Sequence, residues 1–403
     1  MSFEEVRPAS PGAAPDSHRM LESAARTAGI VAFFEQALRR QSEITVLLND
    51  PDRFTDSRLA LEVIQEIARA RGLAPRFRIL FATGSHVFDA DKKQAHEQSC
   101  LPSATSFEKR DWHDARNPSV VRSVGEAELH HWVVEAEHLL VVGSMEPHYF
   151  AGVTGAHKTA TVGVMSYESL RKNHYHAMSP QAASFALDGN PVHGGIAAIL
   201  ERLSENKYLF AINEVLMGGK LVACTAGEPL QALTSGLPHV ERIFSYRMAR
   251  PADLVIARVA PPLDKNLYQA DKGIKNVEMA VRDGGVILLE AQCAEGVGPD
   301  RFMKLMEKAP THEDAVEVVE SEGYRLGDHK AVRLRALTGR RGVRLGIVSS
   351  HLSEPQALLA GLEPLASLEN ASRWAIACLG EKAKTAALVE DAGNMTLSLA
   401  SSQ

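Results

Sequence analysis

The chain has 403 residues, of which 45% are hydrophobic and 23% are charged, and its formal net charge is −6 at pH 7. This length exceeds what a single hydrophobic core usually organises, so we expect two domains. The acidic charge and the lack of a Lys/Arg cluster exclude nucleic-acid binding. No apolar run approaches the roughly 20 residues that a membrane span requires.

Residues 1–25 contain no basic-then-apolar signal pattern and predict a flexible N-terminal lead-in, rich in Pro and Ala. The four cysteines lie far apart in sequence and form no CxxC pair, which indicates neither a disulfide framework nor a zinc knuckle. We therefore expect a cytoplasmic protein with reduced thiols.

Apolar runs that alternate with amphipathic helical patterns, from about residue 30 onward, predict an α/β fold. Strands are predicted at residues 44–48, 77–82 and 139–143, a helix at 56–71 and a hairpin at 216–223. In open α/β sheets, ligands bind at the carboxyl edge of the strands. We therefore expect the polar residues that follow these strands to share one rim: Asp50, Arg53, His86 and His148.

A second α/β unit is predicted to begin near residue 246. Its predicted strands are residues 252–259, 285–290 and 343–348, and its predicted helices are residues 276–281, 373–379 and 382–389. The predicted organisation is a lead-in over 1–25, an N-terminal α/β domain over 26–245 and a C-terminal α/β domain over 246–403.

The richest functional pattern is the segment 146–158 followed by 173–176. It combines four imidazoles and one lysine, with glycines between them: His148, His157, Lys158, His174 and His176. Histidine supplies a proton carrier and a metal ligand, and lysine supplies an amine that can form a covalent link. The segment lacks the GxxxxGK[ST] spacing of a P-loop and the HExxH spacing of a zinc protease. We interpret it as an active site, in which His157 and His176 lie behind the residues that contact the ligand or on the surface.

Two further pairs have residue types suited to an oxyacid ligand. Arg53, after Asp50 and Pro51, can bind a carboxylate or phosphate through two parallel hydrogen bonds, although an exposed arginine at a helix start is the alternative. Gln269 and Lys272 are three residues apart and share a face if their segment is helical. A solvated helix start is the alternative there.

Taken together, these motifs resemble the ordered motif set of the lactate racemase family, the nickel-pincer-nucleotide racemases and epimerases of 2-hydroxy acids. The resemblance runs from about residue 45 to at least residue 300. It rests on Asp50-x-x-Arg53, Thr83-Gly-x-His86, Pro147-His-Tyr-Phe-Ala-Gly152, Gly155-x-x-Lys158, Asn173-His174 and Tyr268-Gln-Ala-x-Lys272-Gly, with Asp283-Gly-Gly and Glu295-Gly-Val-Gly.

The resemblance implies a cofactor, nickel pyridinium-3,5-bisthiocarboxylate mononucleotide, which accessory proteins make and load. By matching positions, Lys158 anchors it covalently, His174 is the nickel ligand, and Asp50 and Arg53 contact it. His86 and His148 match the paired acid/base groups that move the hydroxyl proton while hydride leaves C2 and returns to the opposite face.

The resemblance also implies a set of substrate-binding residues, with the active site in the cleft between the two domains. The matching positions are Arg53, Tyr268, Gln269, Lys272 and His329. The lactate-specific enzymes place a Trp over the substrate, and the aligned segment here is Gly327-Asp-His329-Lys330. We therefore expect a 2-hydroxy acid larger or more polar than lactate, with His329 or its neighbours contacting the substrate side chain.

The loop around Lys158 also departs from the family pattern, with Ala156-His157 in place of Gly-Gly and Val162-Gly163 in place of Pro-Gly. Two other functions stay open on the sequence. One is a zinc hydrolase with His86, His148 and His174 as ligands. The other is a non-catalytic relative that only binds a hydroxy acid.

Overall fold

The computed structural model describes residues 2–8, 16–102, 107, 109–380 and 383–399. The chain divides into two compact units. The first unit comprises residues 10–176 and 181–240, and the second unit comprises residues 1–9, 177–180 and 241–403. Each unit is built around a mainly parallel sheet with helices, so the predicted α/β class with two α/β units is confirmed.

The strands, in chain order, are β1 (Ser2–Val6), β2 (Ile44–Asn49), β3 (Phe77–Ala82), β4 (Arg110–Trp112), β5 (Val121–Val124), β6 (Ala127–His130), β7 (His138–Ser144), β8 (Pro147–His148), β9 (Gly152–Val153), β10 (Tyr208–Met217), β11 (Lys220–Gly227), β12 (Ser245–Met248), β13 (Ala252–Arg258), β14 (Val281–Glu290), β15 (Arg344–Val348), β16 (Leu362–Leu365), β17 (Thr385–Val389) and β18 (Thr396–Leu399).

The α-helices are α1 (Ser17–Thr27), α2 (Ile30–Arg39), α3 (Ser57–Ala70), α4 (Ala90–Cys100), α5 (His131–Glu135), α6 (Ala156–Thr159), α7 (Tyr167–Tyr175), α8 (Pro191–Ser204), α9 (Pro229–Phe244), α10 (Leu267–Val277), α11 (Asp300–Lys308), α12 (His312–Glu322), α13 (Asp328–Gly339), α14 (Glu354–Leu359) and α15 (Leu368–Leu379). Short 3-10 helices are Pro118–Val120, Val162–Val164, His176–Met178, Leu263–Lys265 and Glu278–Ala280.

The sheet of the first unit has the strand order β11-β10-β7-β2-β3-β4. Its pairs are parallel except for the β10–β11 hairpin. Every residue of β2 is buried, as expected for a strand covered on both faces. Because β2, β3 and β7 run side by side in parallel, the polar segments that follow them emerge at one edge of the sheet.

Helix α3 shows how the sequence pattern produces the core of this unit. The side chain of Asp56 accepts a hydrogen bond from the Leu59 amide and so caps the helix. Leu61, Ile64 and Ile67 recur at helical spacing and are completely buried. They belong to the same core cluster as residues of β2 and β3.

The sheet of the second unit has the order β1-β17-β13-β14-β15-β16, and all its pairs are parallel. The predicted helix over 382–389 is wrong, because residues 385–389 form strand β17. Ala387 and Val389 are completely buried between the neighbouring strands β1 and β13. An Ala-rich run favours a helix locally, and its burial between two strands overrides that preference.

Two other sequence expectations differ from the structure. Helix α10 ends at Val277 and β14 begins at Val281, so the predicted helix over 276–281 does not extend into its second half. Part of the predicted lead-in over 1–25 is regular structure. Ser2–Val6 pairs with β17, and α1 begins at Ser17 after an Asp16 cap. Among the described residues, we find no helix both long enough and apolar enough to cross a membrane.

Candidate active site

A cavity of about 120 Å³ lies in the first unit, at the carboxyl edge of its sheet. Residues that follow β2, β3 and β7 line it, together with residues of α6 and α7. The structure therefore brings together six of the predicted site residues: Asp50, Arg53, His86, His148, Lys158 and His174.

The first pair in this cavity is Asp50 and His86. Asp50 directly follows β2 and is only 3% exposed. One carboxylate oxygen, Oδ1, accepts a hydrogen bond from the Asp52 amide at 2.8 Å. The other, Oδ2, lies 3.0 Å from Nδ1 of His86. The imidazole also packs edge-on against Phe88, so both a carboxylate and a ring fix its position.

His148 lies on the short β8–β9 hairpin. Its Nδ1 accepts a hydrogen bond from the Ala151 amide at 3.3 Å. Its ring stacks on Tyr149, with centroids 5.5 Å apart, and meets Phe150 edge-on at 4.4 Å. The aromatic residues of this motif therefore hold the imidazole in place at the cavity wall.

Lys158 lies on α6, which packs against the end of β7. The Ala156 amide at the start of α6 donates to Oδ1 of Asn213 at 2.7 Å. A Cβ added to Gly143 would lie 2.5 Å from the Ala156 nitrogen, so this close approach requires glycine. Lys158 is only 8% exposed, and its ammonium nitrogen lies 5.8 Å from the centroid of the Phe150 ring. The Ala156-His157 departure thus forms a tight helical turn.

His174 lies on α7, next to the buried Asn173. Nδ1 of His174 is 3.2 Å from the Asn173 side-chain oxygen. The Asn173 amide nitrogen donates to the Val192 carbonyl at 3.0 Å. Burial, and secondarily the nearby Lys158 ammonium, lower the pKa of His174 to about 3. The ring is therefore neutral at physiological pH, which is the form that binds metal.

His157 and His176 lie outside this cavity. His157 is completely buried and packs edge-on against His193. Neither ring nitrogen of His157 has a hydrogen-bond partner within the described protein. Burial holds its pKa well below the usual value. His176 is exposed.

The sequence analysis missed polar residues that tie the cavity wall together. The Thr159 hydroxyl donates to Oδ1 of Asn49 at 2.7 Å, and the Asn49 amide donates to the Thr55 hydroxyl at 2.7 Å. Asn49 and Thr159 both line the cavity. In the sequence, Asn49 is marked only by its position before Asp50, and Thr159 only by its position after Lys158. Polar residues beside site residues are too common for either to be predicted.

The remaining predicted residues belong to the second unit. Tyr268, Gln269 and Lys272 lie on α10 and are partly buried. Gly327 has φ +101°, and a Cβ there would lie 2.5 Å from the Tyr268 hydroxyl, so the tyrosine packs directly against this turn. His329 is 3% exposed, and its Nδ1 lies 2.7 Å from the Tyr324 hydroxyl.

Two kinds of ligand set in the first unit could hold a metal or cofactor. Among the described residues, the only three His, Cys, Asp or Glu ligand atoms within 4.8 Å of one another are those of Asp50, Asp52 and His86. The alternative zinc set of His86, His148 and His174 does not form such a cluster. The other set is the Lys158 amine together with the neutral His174 imidazole, which suits a covalently held group that carries a soft metal.

Comparison with known proteins supports one family across both units. The family model described as the lactate racemase N-terminal domain matches residues 2–185, and that of the lactate racemase C-terminal domain matches residues 248–331. The lactate racemase of Thermoanaerobacterium thermosaccharolyticum is 29% identical over 291 residues, which cover 70% of this chain and 67% of the relative. That of Lactiplantibacillus plantarum is 28% identical over 283 residues, covering 66% of this chain and 64% of the relative.

Two solved structures have a similar fold. The apoprotein structure of the Thermoanaerobacterium thermosaccharolyticum lactate racemase superimposes with a TM-score of 0.85 at 23% identity, covering 98% of this chain and 94% of that one. The crystal structure of a Thermotoga maritima protein gives a TM-score of 0.69 at 14% identity, covering 96% and 100%. At these identities, both comparisons bear on the fold alone.

Proposed function

Because the chain belongs to the lactate racemase family, we propose that it inverts the C2 centre of a 2-hydroxy acid with a nickel-pincer nucleotide as cofactor. The protein is an isomerase of the racemase class. One observation carries the finer proposal. The cavity is lined by two histidines, His86 and His148, together with the Lys158 amine and the His174 imidazole, and His86 lies far from the other three in sequence.

The residues present fit the cofactor that the family implies. Lys158 would hold it through its side-chain amine, and His174 would bind the nickel. What supports the second role is the neutral imidazole of His174 and the Asn173 oxygen beside its Nδ1. Such a contact orients a metal-binding histidine and raises its basicity. When bound, the group supplies a hydride acceptor and donor next to C2.

The proton chemistry belongs to His86 and His148. An imidazole can take or give a proton near neutral pH. Inversion needs a proton carrier on each side of the reacting carbon, which accounts for two histidines. Arg53, which also lines the cavity, would bind the substrate carboxylate by two parallel hydrogen bonds. That Tyr268, Gln269 and Lys272 also bind substrate oxygens stays a prediction.

For the substrate, we propose a 2-hydroxy acid larger or more polar than lactate. The sequence offers no Trp at the position that the family uses over lactate, and the segment there is Gly327 to Lys330. His329 in this segment is buried against Tyr324. Because the hydrogen bond to Tyr324 uses Nδ1, a contact between His329 and the substrate would be made by Nε2.

The test is a chiral assay of a 2-hydroxy acid panel on protein co-expressed with the cofactor-synthesis proteins. We expect racemisation, bound nickel, and a mass increase on the peptide that contains Lys158. Lys158→Ala should lose all three, whereas His176→Ala, at an exposed residue outside the cavity, should keep them. Full activity of Lys158→Ala would refute the proposal.

Two other outcomes would favour the alternative functions. Zinc-dependent hydrolysis by unmodified protein would favour the zinc hydrolase, and binding of a 2-hydroxy acid without exchange at C2 would favour the non-catalytic relative.

A further inference from the structure

We infer that Asp50 is a positioning residue that holds His86 in the tautomer with a basic Nε2, while the Ala151 amide holds His148 in the opposite tautomer. The inference rests on the proposed function for its catalytic meaning. The two imidazoles of the cavity would then not be equivalent. One presents a lone pair at Nε2 and the other presents an N–H.

The hydrogen bonds of Asp50 determine the His86 tautomer. An ionised carboxylate can only accept hydrogen bonds. Its Oδ1 already accepts from the Asp52 amide at 2.8 Å, and its Oδ2 faces Nδ1 of His86 at 3.0 Å. The proton between them must therefore sit on Nδ1. In the neutral ring this leaves Nε2 unprotonated and able to accept a proton.

The parallel pairing of β2 and β3 places Asp50 and His86 next to each other. Strands β2 and β3 pair in parallel with Asn49 opposite Ala82, so the segments after both strands leave the sheet side by side. Asp50 is the first residue of one segment. In the other, the His86 amide donates to the Thr83 carbonyl at 3.0 Å, and this turn places His86 beside Asp50.

The opposite arrangement holds for His148. A backbone amide can only donate, so the Ala151 N–H directed at Nδ1 of His148 requires a lone pair there. The neutral ring then carries its proton on Nε2. A substrate hydroxyl has one proton to donate and two lone pairs that accept. Of these two cavity-lining histidines, His86 thus carries an acceptor at Nε2 and His148 carries a donor there, which are the two roles that such a group requires.

The substitution Asp50→Asn tests whether Asp50 sets the His86 tautomer through its hydrogen bond or only fills the space beside the ring. The new side chain has nearly the same shape. Its oxygen must stay toward the Asp52 amide, which needs an acceptor, so its NH₂ group faces His86. Nδ1 would then have to accept, and His86 would switch to the tautomer with a proton on Nε2. Asp91→Asn is the matched control, because it makes the same substitution at an exposed aspartate of α4 that does not line the cavity.

Ring ¹⁵N NMR of the full, chelator-treated, cofactor-free chain at about pH 8 measures the tautomers directly. His86→Gln and His148→Gln would assign the two rings. We expect Nδ1–H for His86 and Nε2–H for His148 in the wild type and in Asp91→Asn, and Nε2–H for His86 in Asp50→Asn. A wild-type His86 with its proton on Nε2 overturns the inference, whether or not any variant folds. So does an Asp50→Asn chain whose His86 tautomer is unchanged.

On cofactor-loaded protein, Asp50→Asn should lower kcat by about 10²-fold or more with little change in KM, since a general acid/base group usually contributes that much. Asp91→Asn should stay close to wild type. If Asp50→Asn keeps wild-type kcat, Asp50 is not a positioning residue. The two proposals fail differently. If the tautomers are as expected but no 2-hydroxy acid is racemised, the proposed function fails and the tautomer assignment stands.

Discussion

The side-chain oxygen of Asn173 lies 3.2 Å from Nδ1 of His174, and the Asn173 amide nitrogen donates to the Val192 carbonyl at 3.0 Å. Because the nitrogen of the amide is engaged with a carbonyl, its oxygen faces the ring. Nδ1 of the neutral His174 therefore carries the proton, and Nε2 holds the lone pair that a metal would need.

We expect Asn173→Ala to weaken nickel binding about 10- to 100-fold, the usual effect of removing a residue that orients a metal ligand. The measurement is nickel per chain after loading, followed by titration with a chelator. His176→Ala on the same segment is the control, since His176 is exposed. If Asn173→Ala retains nickel as tightly as the control, the contact does not orient a ligand.

The close approach of Gly143 and Ala156 leads to a second prediction. Gly143→Ala would place a Cβ 2.5 Å from the Ala156 nitrogen and displace α6 from β7. We expect a loss of about 1–3 kcal/mol in the free energy of unfolding, as for other overpacked sites, and less cofactor on Lys158. Denaturant unfolding and peptide mass measure the two effects.

Gly194→Ala provides the matched control for this substitution. Gly194 is inside α8, and a Cβ there would meet nothing within 4 Å. Alanine should stabilise such a helical position by about 0.5–1 kcal/mol. If both substitutions have the same effect on stability and on cofactor content, the approach of α6 to β7 does not require glycine.

Predictions of secondary structure from the sequence were most accurate where burial and periodicity indicate the same element. The pattern over 77–82 matches β3, and the one over 44–48 lies within β2. The expectation that residues after these strands share a rim follows from parallel pairing alone, and the structure places them on one cavity. The sequence failed at 382–389, where local helix preference and burial between strands conflict.

Contacts between residues far apart in the chain could not be predicted in this way. Asp50 was matched to a cofactor contact, and only the structure reveals its hydrogen bond to His86. The same holds for Thr159 and Asn49, which are 110 positions apart. Register and side-chain rotamers decide such pairs, and neither leaves a periodic pattern in the sequence.

Glu214 leads to a prediction about how the free energy of unfolding depends on pH. It is completely buried on β10, and Oε2 accepts a hydrogen bond from the Asp56 amide at 2.6 Å. Burial raises the pKa of Glu214 from the usual 4.5 to about 8. The folded chain therefore holds a proton that the unfolded chain has lost above about pH 5. Its contribution to stability is complete below pH 4.5 and is lost as the pH rises toward 8.

We expect the free energy of unfolding to fall between pH 5 and pH 8 by an amount on the order of 4 kcal/mol from this residue. Glu214→Gln should remove most of that slope, since a glutamine stays neutral throughout. Glu126→Gln, at an exposed glutamate, should leave the slope unchanged. Urea unfolding at several pH values tests this, and equal slopes in the wild type and Glu214→Gln would contradict it.

The last prediction concerns Lys330, a buried cation that contacts the first turn of α10. Nζ of Lys330 donates to the Tyr268 carbonyl at 2.7 Å and lies 3.4 Å from Oδ2 of Asp271. Both charged side chains are almost completely buried. Burial lowers the pKa of Lys330, and the nearby carboxylate opposes this change.

Lys330→Met should reduce the free energy of unfolding by about 3–5 kcal/mol, because it leaves the Asp271 carboxylate buried without its cation. Adding Asp271→Leu should restore much of that loss, since a well-packed apolar pair can replace a buried ion pair. Lys304→Met, at an exposed lysine of α11, should change stability by less than about 0.5 kcal/mol. A double variant as unstable as Lys330→Met would mean that lost packing, rather than the unpaired carboxylate, destabilises the chain. Because Lys330 also bonds to the backbone of Tyr268, the single variant should weaken substrate binding if α10 contributes to the site.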